Sequence, residues 1–293
     1  MKSFEFNTLF IIESLKPGET KTGLNLYDEM CTLKAAHNEL SALDLRYVSI
    51  ASAQEWDDCM AHILRECKER KVLPIIHLEI HGNKNGIEFT NLECRDRYEV
   101  SRQFREINRV IGCNLFTTLG VCEGLNILFG IKTDELMPFC GVVGSFDKLI
   151  AADIEIRYSE FYRTLFTKLD IYEAYKSLIH ANTELVADYR YIPVDEIFYK
   201  NYQDYLDKEC TLESMKRRAL NSFDQQSFYA NTRQQKRKFV RDFIKEEKKN
   251  RLNYYQESVS SFFDLEHFPQ NKERFEIPDN FKALKEKYDT LII

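Results

Sequence analysis

Short apolar runs recur along the first two thirds of the chain, and helically spaced apolar positions fill the intervals between them. Runs at 7–12, 46–51, 73–80, 114–119 and 139–143 predict buried strands. Between the first two, Leu24, Leu26, Met30 and Leu33 fall at roughly helical spacing and predict a helix over 23–40. Further helices are predicted at 54–71, 100–111, from 125–129 onward, and at 151–168. Strands this continuously apolar have no wet face, so their alternation with helices predicts an α/β fold with a mostly parallel sheet flanked by helices. Helical patterning dominates after residue 171, with one extended break at Tyr191-Ile192-Pro193. From Val194 onward the chain is rich in Tyr, Phe, Lys and Arg without strand alternation. Its aromatics, among them Tyr202, Tyr205, Phe223, Phe228, Phe239 and Phe243, read as a helix-packing core rather than a platform for stacking bases. Two regions are therefore expected, an α/β domain over 1–182 and a helical, basic C-terminal region over 183–293.

Composition narrows the class. A chain of 293 residues, 44% hydrophobic with ten glycines and six prolines, can bury a large core and is not linker-rich or disordered. No apolar run approaches the roughly 20 residues that span a bilayer. The opening Met1-Lys2-Ser3-Phe4-Glu5-Phe6 lacks the basic and apolar regions of a signal peptide, so a cytoplasmic protein without membrane association is expected. Eight cysteines carry no CxxC pair, which predicts neither a disulfide framework nor a zinc ribbon and suits a reducing compartment. Charge is uneven: residues 216–251 hold twelve Lys/Arg against four acids, a local +8 in a chain of net charge -6. Such a stripe can bind nucleic acid or an acidic partner. The plainer reading is a solvated helix surface, since acids are interspersed and no groove-binding motif is present.

Candidate chemistry lies at two strand tips. The run ending at Ile80 leads into His81-Gly82, and the run ending at Leu119 leads into Gly120-Val121-Cys122-Glu123-Gly124. In open α/β sheets ligands bind beyond the carboxyl ends of the strands, where both His81 and Cys122 fall. A thiol attacks a carbonyl at neutral pH when a base stands within hydrogen-bond reach, and an imidazole on the neighbouring loop is such a base. Cys113 and Cys140 open apolar strands and read as small hydrophobes. A metal site drawn from His77, His81, Cys113 and Cys122 competes with this reading. On a strand, however, residues 77 and 81 stand about 13 Å apart, so neither metal nor cofactor is expected. No G-x-S-x-G elbow supports a serine nucleophile.

Four segments then carry a family resemblance: Ile11-Ile12-Glu13-Ser14-Leu15 with Lys21-Thr22-Gly23 and Leu26-Tyr27; Ile80-His81-Gly82 with Gly86-Ile87; Val121-Cys122-Glu123-Gly124; and Gly141-Val142-Val143-Gly144-Ser145 with Phe161-Tyr162 and Glu173-Ala174. In this order, over residues 5–182, the chain resembles the caspase-like cysteine peptidases, most nearly the bacterial members with a CHAT-type domain. The resemblance implies a caspase-like fold and an endopeptidase acting on protein or peptide substrates. Cys122 would be the nucleophile forming a thioester, His81 the base and later the acid, and the N–H groups of Gly82 and Cys122 the oxyanion hole. Lys21 stands where the family places a basic residue for an acidic P1 side chain, although lysine lacks the bidentate fork of arginine and Gly120 replaces the glutamine common two residues before the nucleophile. Relatives that prefer Arg or Lys at P1 would need an acid, for which Glu13, Asp147 and Asp153 are candidates. Relatives also often act as conditional proteases in bacterial defence or cell death, switched on by a sensor partner. Two alternatives belong to other classes: a catalytically silent adaptor of the same fold, and a nucleic-acid-binding effector acting through residues 216–251.

Overall fold

The computed structural model describes residues 4–182, 187–226 and 232–289. Phe228, placed above in the helical core, lies outside the described residues. The chain divides into two compact units: residues 1–131 with 136–194, and residues 132–135 with 195–293.

The first unit opens β1(Thr8–Ser14), α1(Thr22–Ala36), β2(Asp44–Ser49), α2(Ala53–Arg70), β3(Pro74–Asn83). It continues with β4(Gly86–Glu88), β5(Cys94–Asp96), α3(Arg97–Val110), β6(Phe116–Leu119), β7(Gly141–Ser145), α4(Ala151–Lys168), α5(Ile171–His180) and β8(Tyr189–Pro193). The sheet runs β2-β1-β3-β6-β7-β8, parallel throughout except for the antiparallel β7–β8 pair. This is the expected α/β architecture with a mostly parallel sheet. On one face α1, α4 and α5 pack together; α2 and α3 pack against each other, where Trp56 Nε1 donates to Gln103. Trp56, Phe89, Phe104, Phe116, Phe139, Tyr158, Phe161 and Tyr162 are fully buried. Two helix starts were written locally: Ser52 caps α2, and Asp96 with Glu99 forms a capping box on α3.

The departures from the pattern reading are informative. The third strand does not stop at Ile80 but runs to Asn83, because its tip pairs antiparallel with β4, His81 opposite Glu88 and Gly82 opposite Ile87. Parallel pairing with β6 ends at Leu78 and Leu119, so His81 still stands beyond the parallel sheet. The segment from residue 124 is a 3-10 helix, Gly124–Gly130, rather than an α-helix. At its start both the N–H and the side-chain amide of Asn126 donate to Glu123 O, an i to i−3 arrangement that draws the turn tight. The extended break at 191–193 is the end of β8, which begins at Tyr189 and adds an edge strand. That pairing with β7 carries the first unit to residue 194, twelve residues past the expected boundary.

The second unit is helical: α6(Val194–Glu209), α7(Leu212–Gln226), α8(Arg233–Phe262), α9(Asn271–Arg274) and α10(Phe281–Asp289). Tyr202, Tyr255, Phe262 and Phe263 are buried there, and Phe198 packs against each of them. Phe223 of α7 meets Phe239 of α8 with ring centroids 5.3 Å apart. Among the described residues no helix is long and apolar enough to cross a membrane.

Candidate active site at the strand tips

The β3 and β6 tips lie side by side. A Cβ built on Gly82 would fall 2.3 Å from Val121 Cγ1 and 3.1 Å from the carbonyl oxygen of Cys122, so only glycine allows these two backbones to approach so closely. The turns beyond are tied by main chain to side chain: Lys84 N–H donates to Glu123 Oε2 at 3.0 Å. Glu123 has φ +56°, in the left-handed region, which turns the chain sharply just after Cys122.

A third loop, following β7, closes on the same place. Glu123 N–H donates to Asp147 O at 2.8 Å, and Leu149 N–H donates to Cys122 Sγ at 3.3 Å. Cys122 is half-buried, and its own N–H has no hydrogen-bond partner among the described residues. None of the eight cysteines is in a disulfide. Burial pushes the thiols of Cys59 and Cys67 up to about 12, which makes them inert fillers of the α2 face.

His81 is half-buried. Its Nε2 lies 2.9 and 3.1 Å from the two carboxylate oxygens of Glu19, in the loop after β1. An ionised carboxylate only accepts, so Nε2 carries the hydrogen and Nδ1 is the nitrogen left for other work. Burial raises the Glu19 carboxyl, but the His81 hydrogen bond, the Lys16 N–H at 2.6 Å and the charges of both residues prevail and hold it below the ordinary glutamate range. Among the described residues no hydrogen bond joins His81 to Cys122.

The four candidate recognition residues fare differently; Asp153 is 1% exposed and accepts from Arg157 Nε at 2.7 Å, so it is closed to substrate. Glu13 is fully buried, and its carboxylate accepts from Gly23 N–H at 2.9 Å, Leu24 N–H at 3.3 Å and Tyr47 Oη at 2.7 Å. It thereby does the capping that Lys21, at the N-cap of α1, cannot do, since an ammonium has no acceptor. Glu13 is closed to substrate, which corrects the expectation that its strand-end position would leave it available. Lys21 Nζ donates to Leu15 O at 2.5 Å and stands 3.7 Å from Glu13, so its charge is turned toward its own loop. Asp147, in the loop after β7, is exposed, with Oδ2 accepting from Asp188 N–H at 3.0 Å.

Behind the tips lies a buried polar chain that the apolar look of β1 and β3 concealed. His77, fully buried, contacts Thr118 Oγ1 through Nδ1 at 2.6 Å and Glu79 Oε1 through Nε2 at 2.8 Å. Thr118 in turn meets Tyr162 Oη at 2.6 Å, and Thr22 donates to Glu79 Oε2 at 2.8 Å. The chain is satisfied when Tyr162 donates to Thr118, Thr118 to His77, and His77 to Glu79. Tyr158 and Tyr162 stand edge-on to the imidazole. His77 thus packs against both tyrosines and links Thr118 to Glu79. Burial holds the Glu79 carboxyl above its ordinary range, against the hydrogen bonds of His77 and Thr22, with the Glu13 charge adding to the rise. A Cβ on Gly120 would fall 2.7 Å from Glu79 Oε2, so that glycine leaves room for the carboxylate.

Among the described residues no group of three or more His, Cys, Asp or Glu side chains is placed to hold a metal ion. Glu19 and the Leu149 N–H escaped the sequence reading: Glu19 is one polar residue in a polar loop, and a backbone donor has no sequence signature. Glu123 and its neighbour Lys84 were legible only as turn residues. No family model matches the chain, and no curated protein matches it.

Proposed function

We propose that the chain is a caspase-like cysteine endopeptidase of the CHAT type in which Cys122 and His81 form the catalytic pair. The observation that carries this reading is the convergence of three loops on Cys122 beyond the parallel strands. The Gly82 backbone lies against Cys122, Glu19 holds Nε2 of His81, and the Leu149 N–H points at the sulfur. In the reaction His81 Nδ1 takes the thiol proton as Sγ attacks the scissile carbonyl carbon. The oxyanion settles against the N–H groups of Gly82 and Cys122, and the amine leaves with the proton returned by His81. Water, deprotonated by the same imidazole, then hydrolyses the thioester and restores the thiol. The separation of His81 from Cys122 is a resting geometry; catalytic hydrogen bonds commonly close only around bound substrate. That is also the behaviour of a protease awaiting an activating partner.

Asp147, on the loop whose Leu149 N–H meets Cys122, has an exposed carboxylate, whereas the Lys21 ammonium faces its own loop. A basic P1 side chain is the preference this arrangement favours. Cleavage of a diverse peptide library by wild type, Cys122→Ala and His81→Ala tests both statements. Loss of cleavage in both variants, with Arg or Lys at P1 in wild type, is the expected result. Cleavage that survives Cys122→Ala would end the peptidase reading, and an acidic P1 would return Lys21 to the pocket.

Glu19 acts through His81 and is a positioning residue. Glu19→Ala is expected to lower kcat by up to about 10²-fold, the scale of a misplaced catalytic group, with KM little changed. Glu19→Gln keeps an acceptor for Nε2–H and is expected to recover much of that loss. Equal defects in the two variants would remove Glu19 from the site.

A further inference from the structure

The charge excess of the second unit is not scattered once the chain is folded. α8 is a 30-residue helix, and at 3.6 residues per turn Arg233, Arg237, Lys238, Arg241, Lys245, Lys248, Lys249 and Arg251 fall within an arc of about 160°. All eight are exposed. Arg233, Arg237, Lys238, Lys245, Lys248 and Lys249 have no ion-pair or hydrogen-bond partner among the described residues. Arg241 pairs only with its exposed neighbour Asp242, and Arg251 donates to the carbonyl of Cys210. Of the remaining charges, Lys236 pairs with Asp224 and Glu247 with Arg218, both on α7, while the exposed acids Asp242 and Glu246 lie beyond one edge of the arc.

The geometry points to a binding surface for a nucleic acid duplex along α8, contacting phosphates without reading base sequence. At 1.5 Å rise per residue the stripe is about 27 Å long, so its eight cations stand on average about 3.9 Å apart along the axis. That is close to the charge spacing along one strand of a duplex, about 3.4 Å. The other polyanionic surface to weigh is a membrane. A helix that lies in a membrane interface inserts an exposed apolar face. Here Phe239 and Phe243 are half-buried, with Phe239 packed on Phe223 of α7, and Leu252 alone is an exposed large apolar side chain near the stripe. Among the described residues no exposed aromatic row accompanies the cations to stack unpaired bases, which favours a duplex over a single strand. This inference does not depend on the peptidase reading.

Fluorescence anisotropy with a labelled 20-base-pair duplex and the full chain tests it, across a salt series. Micromolar binding at 50 mM salt is expected, as for other backbone-directed contacts. The variant with Arg237, Lys238, Lys245 and Lys249 all changed to Gln keeps helix propensity and should melt as wild type by circular dichroism. It is expected to bind at least about ten-fold more weakly and to flatten the slope of log K against log salt by about three to four. A charge-matched control with Arg65, Lys68, Arg109 and Lys285 changed to Gln should retain most of the affinity. Equal loss in the two variants would reduce the effect to net charge and overturn the proposal. So would absence of duplex binding at 50 mM salt, or stripe-dependent flotation with 30% phosphatidylserine vesicles but no stripe-dependent duplex binding.

Discussion

Glu79→Ala is expected to destabilise the α/β unit by about 1–3 kcal/mol for each buried donor it strands, with the cost of the cavity added. The carboxylate is 1% exposed and accepts from both His77 and Thr22. Truncation strands both groups and opens a cavity beside Gly120. Glu79→Gln keeps the volume and one acceptor and should lose much less. The two variants also separate in pH. Because the folded-state carboxyl lies above its ordinary range, folding binds its proton. Its contribution is therefore fully present below the ordinary glutamate range and is lost as pH rises toward the folded value. Urea denaturation of both proteins from pH 4 upward should show wild type losing stability relative to Glu79→Gln as pH rises. A difference between the two that instead moves in favour of wild type over this range would contradict the assignment.

Cys122→Ala is expected to reduce kcat/KM toward cleaved peptides by on the order of 10⁴-fold or more, since no other group can carry the acyl intermediate. His81→Ala should cost nearly as much. The double variant should be no worse than Cys122→Ala alone, because nucleophile and base act as one unit. Strict additivity of the two losses would argue that the residues work separately. Cys94 provides an internal reference for thiol reactivity: it is exposed, with a single contact to its own turn at Leu92 O. Labelling by a substrate-like electrophile should favour Cys122 over Cys94, whereas exposure alone would favour Cys94. Preference for Cys94 would count against an activated nucleophile at 122.

The strands at the heart of the first unit were legible because a parallel strand buried on both faces must be written as an apolar run, and a run has ends. Those ends placed His81 and Cys122 at neighbouring tips before any fold was known, whereas the start of α3 at Arg97, three residues before the expected 100, is set by the Asp96 and Glu99 capping box. The basic stripe was likewise visible as composition, but its confinement to one side of α8 depended on a single unbroken helix from Arg233 to Phe262. Tertiary structure decided the rest. Periodicity cannot tell that Glu13, His77 and Glu79 sit in the sheet interior, because their partners Tyr47, Thr118, Thr22 and α1 are brought in from other elements. The hairpin extension of β3 exists through pairing with β4, three residues long and silent in the sequence, and β8 becomes a strand through antiparallel pairing with β7. The Glu19 contact to His81 spans 62 residues, and the Leu149 contact to Cys122 joins loops after two different strands. Local pattern determines which segments become strands and helices; only the packed sheet determines which loops meet, and the candidate chemistry resides in those meetings.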